Sequence, residues 1–125
     1  MNTRYEYPFE KLRVWQKTRA LAKEIYSVTA KFPRREIYGL TSQCNRAAVS
    51  IAANIAEGSS RRSRKDQAHF SEIAYSSLME LACLLILCAD LGILSAEAEQ
   101  TLRQSIEQVS VQLNALHRSQ RARVA

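Results

Sequence analysis

The sequence predicts an all-α protein, organised as one antiparallel up-and-down four-helix bundle over residues 1–125. Apolar residues recur at spacings of three and four through most of the chain, which is the period of a helix lying on a core. The chain has only three glycines, and Gly39, Gly58 and Gly92, together with Pro33, divide the periodic stretches into four. Four helices joined by short loops follow from this pattern.

The first helix is expected over residues 10–32. Val14, Leu21 and Ile25 form its apolar stripe, and most of its basic residues lie outside that stripe. Pro33 ends it, because proline cannot continue a helical hydrogen-bond pattern.

The second helix is expected over residues 38–57, with Gly58 as the left-handed residue after its C-terminus. Between residues 47 and 56 only Ser50 and Asn54 are polar. A surface helix normally shows water a wide polar face, so this helix is either central or covered by another chain.

The third helix is expected over residues 63–91. Ser63 is its predicted N-cap, and Asp66, three residues later, completes a variant of the capping box. The middle of the helix, residues 81–89, is apolar on every side. Because large exposed apolar patches usually mark interfaces, the second and third helices together predict a homo-oligomer.

The fourth helix is expected over residues 95–120 and is followed by a basic tail. Ser95 is its predicted cap, and Glu97 and Glu99 fall near its first turn, where the helix dipole favours acidic side chains.

Two polar residues of the second helix are expected to serve the fold. Asn54 lies on the apolar stripe, where an amide more often hydrogen-bonds across an interface and fixes its register than takes part in chemistry. Glu57 lies near the negative end of the helix dipole, so Arg61 or Arg62 is predicted to pair with it as a structural clasp.

The sequence offers little for catalysis. The segment after Gly58, SSRRSRK, lacks the spacing of a phosphate-binding P-loop, and no other nucleotide or nucleophile motif occurs. Three cysteines without CxxC spacing are expected to be buried free thiols, and His69 and His117 belong to no metal motif. We predict no catalytic residues, no metal, no cofactor and no enzymatic activity.

The location of the protein is predicted from its apolar segments. The start of the chain, MNTRYEYPFEKL, lacks the apolar run of a signal peptide, and the apolar run LACLLILCA is shorter than a bilayer requires. We therefore expect a cytoplasmic protein that does not bind membranes.

The basic residues favour a polyanionic partner. Eighteen lysines and arginines against twelve acidic residues give a formal net charge of +6. Several of these basic residues precede or begin the third helix, where exposed amides and the helix dipole already favour anions. The predicted nucleic-acid-binding residues are Arg46, Arg61, Arg62, Arg64 and Lys65, followed by Lys11, Arg13, Lys17, Arg118 and Arg121.

Three blocks, EIYGLTSQ, NIAEG and SLMEL, lie in a stretch over roughly residues 9–95 that resembles the four-helix proteins encoded in 23S ribosomal RNA intervening sequences. The same fold family includes the accessory variability determinant of diversity-generating retroelements. This resemblance implies a homopentameric barrel with a basic surface that binds RNA or DNA, and in the retroelement branch it also implies a reverse transcriptase partner. The family pattern RRAA stands here as NRAA, with Asn45 and Arg46.

The leading hypothesis is a non-enzymatic, homo-oligomeric protein that binds structured RNA or RNA/DNA mainly through charge and shape. The alternative is an oligomeric protein–protein adaptor, such as a reverse-transcriptase accessory factor. An enzyme of unrecognised type ranks third.

Overall fold

The computed structural model describes residues 3–122, which form four α-helices and two short 3-10 helices and contain no strand. The α-helices are α1 (Arg13–Thr29), α2 (Leu40–Ser59), α3 (Arg64–Asp90) and α4 (Ala96–Ala122). The 3-10 helices are Pro8–Lys11, before α1, and Arg34–Glu36, between α1 and α2. The predicted all-α class with four helices is confirmed.

The first helix is shorter than predicted at both ends. A separate 3-10 turn occupies Pro8–Lys11, and Leu12 takes an extended conformation before α1 begins. At the other end the helix closes at Thr29, before the proline at position 33. Proline limits the residue before it as well as itself, so a helix commonly ends ahead of the proline that stops it.

The four helices pack in a closed order, α1 on α2, α2 on α3, α3 on α4, and α4 on α1. Each helix contributes apolar side chains to one core, as its period of three and four predicted. Fully buried members of that core are Leu21 and Ile25 of α1, Ile51 of α2, Leu78, Leu81 and Leu85 of α3, and Val109 and Leu113 of α4.

Gly58 does not end α2, contrary to the prediction. It lies inside the helix, which continues to Ser59, and among the described residues only Gly92 has a positive φ, of 73°. A Cβ atom on Gly58 would come within 2.8 Å of the Cβ atom of Phe70 in α3. The residue is therefore required for the close approach of two helices, and Gly92 supplies the left-handed turn after α3.

Serine caps begin two helices as predicted. The Asp66 N–H donates to Ser63 Oγ over 3.0 Å at the start of α3, and the Ala98 N–H donates to Ser95 Oγ over 3.1 Å at the start of α4. Each bond satisfies one of the backbone donors that a helix N-terminus leaves without an intrahelical acceptor.

The three cysteines are free, but they are not all buried. Cys44 of α2 and Cys88 of α3 lie in the core, whereas Cys83 is exposed. Burial, reinforced by Cys88, raises the pKa of Cys44 to about 12, so this thiol stays protonated near neutral pH. The prediction of buried thiols is right for two cysteines and wrong for Cys83, which lies on the outward side of α3.

α3 is the most apolar helix of the four. Its 27 residues include an 18-residue window with a mean hydropathy of 1.7, of which 39% is buried inside the structure. By length and composition alone, α3 as a whole could cross a membrane, although the nine-residue apolar run at its centre is too short to do so. The core helix of a soluble protein meets the same criterion.

Candidate nucleic-acid interface

The connection between α2 and α3 and the first turn of α3 carry four of the predicted binding residues, Arg61, Arg62, Arg64 and Lys65, which we call the basic corner. Its backbone is held at both sides. The Arg61 N–H donates to the Gly58 carbonyl over 3.1 Å, and Gln67 Nε2 donates to the Arg61 carbonyl over 2.9 Å. The turn is therefore tied to the last turn of α2 and the first turn of α3.

The guanidinium of Arg61 is itself positioned. Its central carbon lies 4.6 Å from the centre of the Phe70 ring, within the range of a cation–π interaction. Phe70 is the residue whose Cβ atom faces Gly58. The close approach of α2 and α3 thus brings the Phe70 ring next to the guanidinium of Arg61.

The predicted clasp between Glu57 and Arg61 or Arg62 is wrong. Glu57 is exposed, and within residues 3–122 no ion pair of 4.0 Å or less joins it to either arginine. Arg61 contacts Phe70 instead, and Arg62 is exposed. A solvated surface carboxylate gains little from such a pair, whereas the aromatic face lies next to the arginine side chain.

Two basic residues of the corner begin α3. The Asp66 amide is taken by Ser63 Oγ, and the Gln67 amide by the Ser63 carbonyl over 3.1 Å. The backbone amides of Arg64 and Lys65 precede these bonds and point out of the helix end, where the dipole favours anions. Asp66 donates its backbone amide to the cap, but no return bond from its side chain is present among the described residues, so the capping box is one-sided.

The last turns of α4 lie beside the first turns of α3. Ser71 Oγ donates to Gln120 Oε1 over 2.7 Å in a buried hydrogen bond, and His117 Nε2 lies 2.9 Å from Glu72 Oε2. The hydrogen bond with His117, followed by the charges of His117 and then Arg121, holds the pKa of Glu72 below its usual value. Arg118 and Arg121, both exposed, therefore share this end of the molecule with the basic corner.

The remaining predicted residues are less closely grouped. Lys11 Nζ lies 3.9 Å from Glu6 Oε1, so part of its charge is matched, and Arg13 is exposed at the first position of α1. Lys17 Nζ donates to Gln108 Oε1 of α4 over 3.3 Å. Lys17 therefore lies at the junction of α1 and α4, whereas Lys11 belongs to the 3-10 helix before α1.

Arg46 is separated from the basic corner. It lies on α2 about four turns before Arg61, roughly 20 Å away along the helix axis. There it lines a cavity of about 360 Å³ together with Gln43, Ala47, Ser50 and Glu80. Arg46 is thus an isolated basic residue on the side of the molecule and does not belong to the corner.

Two asparagines of α2 have structural contacts. Asn45, at the position where the family pattern has arginine, accepts a hydrogen bond from Thr29 Oγ1 of α1 over 2.8 Å. Asn54 donates to the carbonyl and hydroxyl oxygens of Ser50 in its own helix, at 2.8 and 3.1 Å. The bond between helices that was expected of Asn54 is made by Ser50, whose Oγ lies 2.8 Å from Ser77 Oγ of α3.

A row of aromatic residues at the start of the chain was not predicted as a site. Tyr5, Tyr7, Phe9 and Trp15, which we call the aromatic row, are in contact from ring to ring. The alternation of aromatics in YEYPF indicates the pair Tyr5 and Tyr7, because residues two apart on an extended backbone share a face. Phe9 lies in the 3-10 helix Pro8–Lys11, so its contacts with Tyr7 and Trp15 depend on the fold.

The fold and this end of the molecule define an all-α protein of four helices that gathers exposed basic side chains around the junction of α2, α3 and α4. The chain belongs to the 23S rRNA-intervening sequence protein family, whose model matches residues 10–115. The match extends beyond the blocks of the first three helices into α4. The predicted family is confirmed.

A solved structure shows the same fold. The 1.70 Å crystal structure of a protein of unknown function from the S23 ribosomal protein family of Bacteroides thetaiotaomicron VPI-5482 has a TM-score of 0.75 and 21% sequence identity to this chain. The alignment covers 83% of this chain and 97% of that one. No curated protein matches the sequence.

Proposed function

We propose that this protein is a non-enzymatic, homo-oligomeric protein of the cytoplasm that binds structured RNA, or an RNA/DNA hybrid, through its phosphate backbone. The observation that carries the proposal is the group of basic side chains formed by the basic corner and the end of α4, which are all exposed except the half-buried Arg64. The name of the family refers to ribosomal RNA intervening sequences, which favours RNA as the ligand.

The charge balance at this end supports phosphate binding. Arg61, Arg62, Arg64, Lys65, Arg118 and Arg121 supply six basic side chains, and Glu57, Asp66 and Glu72 are the neighbouring carboxylates. Glu72 contacts His117, and no ion pair within the described range joins any of the three to a basic residue of the corner. The cationic surface is therefore not neutralised from within, and an extended polyanion gains from the release of its counterions.

Contacts along the helices support an antiparallel up-and-down arrangement as part of the proposal. Between α2 and α3, Gly58 faces Phe70 and Ser50 contacts Ser77, so residue numbers increase along α2 in the direction in which they decrease along α3. In the same sense, the end of α4 contacts the beginning of α3. This arrangement places the start of α1, the end of α2, the start of α3 and the end of α4 at one end of the molecule.

Assembly into an oligomer is proposed from the outward side of α3. Met79, Cys83, Ile86 and Leu87 are exposed and recur at helical spacing, so they form one apolar stripe. A monomer seldom leaves such a stripe in water. The resemblance to the intervening-sequence proteins implies a ring of five, in which the positive potential of each subunit would add to that of its neighbours.

Charge reversal tests the binding surface. We expect the triple variant Arg61→Glu, Arg62→Glu, Arg64→Glu to weaken binding to a structured RNA hairpin by well over tenfold at about 50 mM salt, because each lost phosphate contact removes a counterion-release contribution. The slope of log affinity against log salt concentration should become shallower by about two to three. The measurement is a titration by fluorescence anisotropy over a salt series.

The matched control reverses three exposed basic residues in the connection between α1 and α2, with the same change in net charge: Lys31→Glu, Arg34→Glu and Arg35→Glu. It should retain most of the affinity. A wild-type protein with no binding at about 50 mM salt, or with no salt dependence, would contradict the proposal. Equal losses in both triple variants would mean that net charge alone acts and that the basic corner is not the site.

The apolar stripe of α3 also favours the second candidate, an oligomeric adaptor for a protein such as a reverse transcriptase. An adaptor that uses this stripe keeps its protein partner when the basic corner is reversed. A reverse transcriptase captured equally by the wild type and the corner variant, with no RNA bound by either, would favour the adaptor.

A further inference from the structure

The aromatic row forms a continuous series of ring contacts. Tyr5 meets Tyr7 edge to face with centroids 5.4 Å apart, and Tyr7 stacks on Phe9 at 5.5 Å with an interplanar angle of 3°. Phe9 then meets Trp15 at 4.8 Å. The row thus runs from the solvent at Tyr5 to Trp15, which packs against the core.

The outer rings of the row are open to solvent. Tyr5 is 74% exposed and Tyr7 is 55% exposed, whereas Phe9 and Trp15 are half-buried. Exposed tyrosines present flat apolar faces that lose little conformational entropy when covered, because the side chain has only two rotatable angles. The row is therefore a surface on which a flat ligand can stack.

The backbone from Tyr7 to Glu10 is fixed before any ligand arrives. The Tyr7 N–H donates to Glu10 Oε2 over 2.7 Å, and the Glu10 N–H donates back to the Tyr7 carbonyl over 3.0 Å. Gln16 Nε2 of α1 donates to the Glu10 carbonyl over 2.8 Å. The 3-10 helix that carries Phe9 also packs against α1 and α2. Binding on this row would not have to pay for ordering a loose segment.

The row is flanked by positive charge. Residues 3–19 contain five basic and two acidic side chains. The guanidinium of Arg19 lies 5.6 Å from the Trp15 ring, and within the described residues Arg13 makes no ion pair. Arg4 and Lys11 contact the two carboxylates, Glu10 and Glu6, from exposed positions. Aromatic faces interleaved with cations match a ligand that has flat rings on an anionic backbone.

We propose that the aromatic row binds unpaired nucleobases of single-stranded nucleic acid by stacking on Tyr5 and Tyr7, while Arg19, which lies against Trp15, contacts an adjacent phosphate. The proposal rests on the proposed function and deepens it, because it adds a site for unpaired bases to the basic corner, which contacts only the phosphate backbone. Stacking accepts any base, so the site selects single strands without selecting a sequence. A nucleic acid with paired and unpaired segments would contact both surfaces.

The probes are a 12-nucleotide uridine RNA, its thymidine DNA counterpart and a blunt RNA hairpin with a four-base loop. The chain has one tryptophan, Trp15, at the inner end of the row, so its fluorescence reports directly on occupancy. We expect quenching by both single strands in the wild-type protein. The double variant Tyr5→Ser, Tyr7→Ser should lose tenfold or more in affinity for both, because each base stack is lost.

Two control variants separate stacking from other effects. Tyr5→Phe, Tyr7→Phe keeps both aromatic faces and should retain affinity within about threefold. Tyr26→Ser, Tyr38→Ser removes two tyrosines that are exposed away from the row, Tyr38 by 95%, and should leave binding unchanged. Both serine variants change exposed side chains only, and helical content measured by circular dichroism verifies their folding.

The outcomes distinguish this inference from the proposed function. Affinity for the single strands that is unchanged in Tyr5→Ser, Tyr7→Ser would overturn the inference, while hairpin binding that depends on the basic corner would leave the proposed function standing. A loss for the hairpin that exceeds the loss for the single strands would also overturn it, because a stacking site acts on unpaired bases and the hairpin offers only the four in its loop. A wild-type protein that binds none of the three probes would overturn both proposals.

Discussion

At the scale of a residue, Gly58 shows how packing overrides helix propensity. Glycine inside a helix costs roughly 1 kcal/mol relative to alanine, so the interior of α2 is an unfavourable place for it. The opposing cost is steric, because a Cβ atom at this position would meet Phe70 Cβ at 2.8 Å. A Cβ atom moves only with its backbone, so neither helix can yield by a change of rotamer.

We therefore expect Gly58→Ala to destabilise the protein, by about 1 kcal/mol after the gain in propensity is subtracted from an overpacking cost of roughly 1–3 kcal/mol. Urea denaturation followed by circular dichroism measures the change. Glu57→Ala, one position earlier and exposed, has no such contact and should shift stability by less than about 0.5 kcal/mol. A stabilised Gly58→Ala protein would show that propensity prevails and that the two helices can move apart.

At the scale of an element, local rules predicted the existence of the helices better than their roles at the site. The period of three and four identified all four helices, and Ser63 and Ser95 marked two of their starts. Gly58 was misread because a helix-ending glycine and a glycine at a close approach look alike in sequence. Only the neighbouring helix distinguishes the two.

The candidate site was predictable where it is local and unpredictable where it is tertiary. The basic corner is contiguous in sequence, so its position before α3 follows from the cap at Ser63. The proximity of Arg118 and Arg121 depends on packing of α4 against α3 through Gln120 and Ser71. Arg61 contacts Phe70 and not Glu57, and this contact could not be predicted from the sequence because it depends on the close approach of α2 and α3.

The cap of α3 supports both the helix and the site. Ser63→Ala removes the acceptor of the Asp66 amide, and we expect a loss of about 1 kcal/mol in the free energy of unfolding. RNA affinity should fall at the same time by a few fold, because fraying of the first turn disorders Arg64 and Lys65. Denaturant titration and RNA binding at fixed salt measure the two effects.

Ser76→Ala is the matched control, since Ser76 is exposed well inside the same helix and alanine has the higher propensity there. It should leave stability equal or slightly higher and RNA affinity unchanged. Ser63→Ala with wild-type stability would show that water or another group replaces the cap.

At the scale of the whole molecule, α3 has more apolar surface than one chain covers. α3 packs on α2 and α4 but not on α1, so its outward side faces away from the core of its own chain. Ile86 is 41% exposed and Leu87 is 44% exposed, and Cys83 lies on the same stripe. α3 is apolar enough to span a membrane, yet its neighbours in the chain bury only part of it. A helix with these properties is also typical of one that packs against further copies of the same chain.

This surface gives the last prediction. Ile86→Glu places a carboxylate on the stripe, and burying it without a partner in an interface costs several kcal/mol. In a symmetric oligomer the cost recurs at every subunit contact, so we expect association to weaken by at least about a hundredfold and the protein to sediment as a 14.2 kDa monomer at micromolar concentration. Analytical ultracentrifugation over a concentration series measures the shift.

Ala20→Glu is the control for added charge, because Ala20 is exposed on α1, the helix that does not contact α3. It should leave the oligomer intact. Assembly should also affect RNA binding. A monomeric Ile86→Glu protein keeps its basic corner but loses the positive potential of the neighbouring subunits. Its affinity for a long RNA should therefore fall far more than its affinity for a short hairpin. A wild-type protein that sediments as a monomer at all concentrations, or an Ile86→Glu protein that assembles like the wild type, would exclude the stripe as the subunit interface.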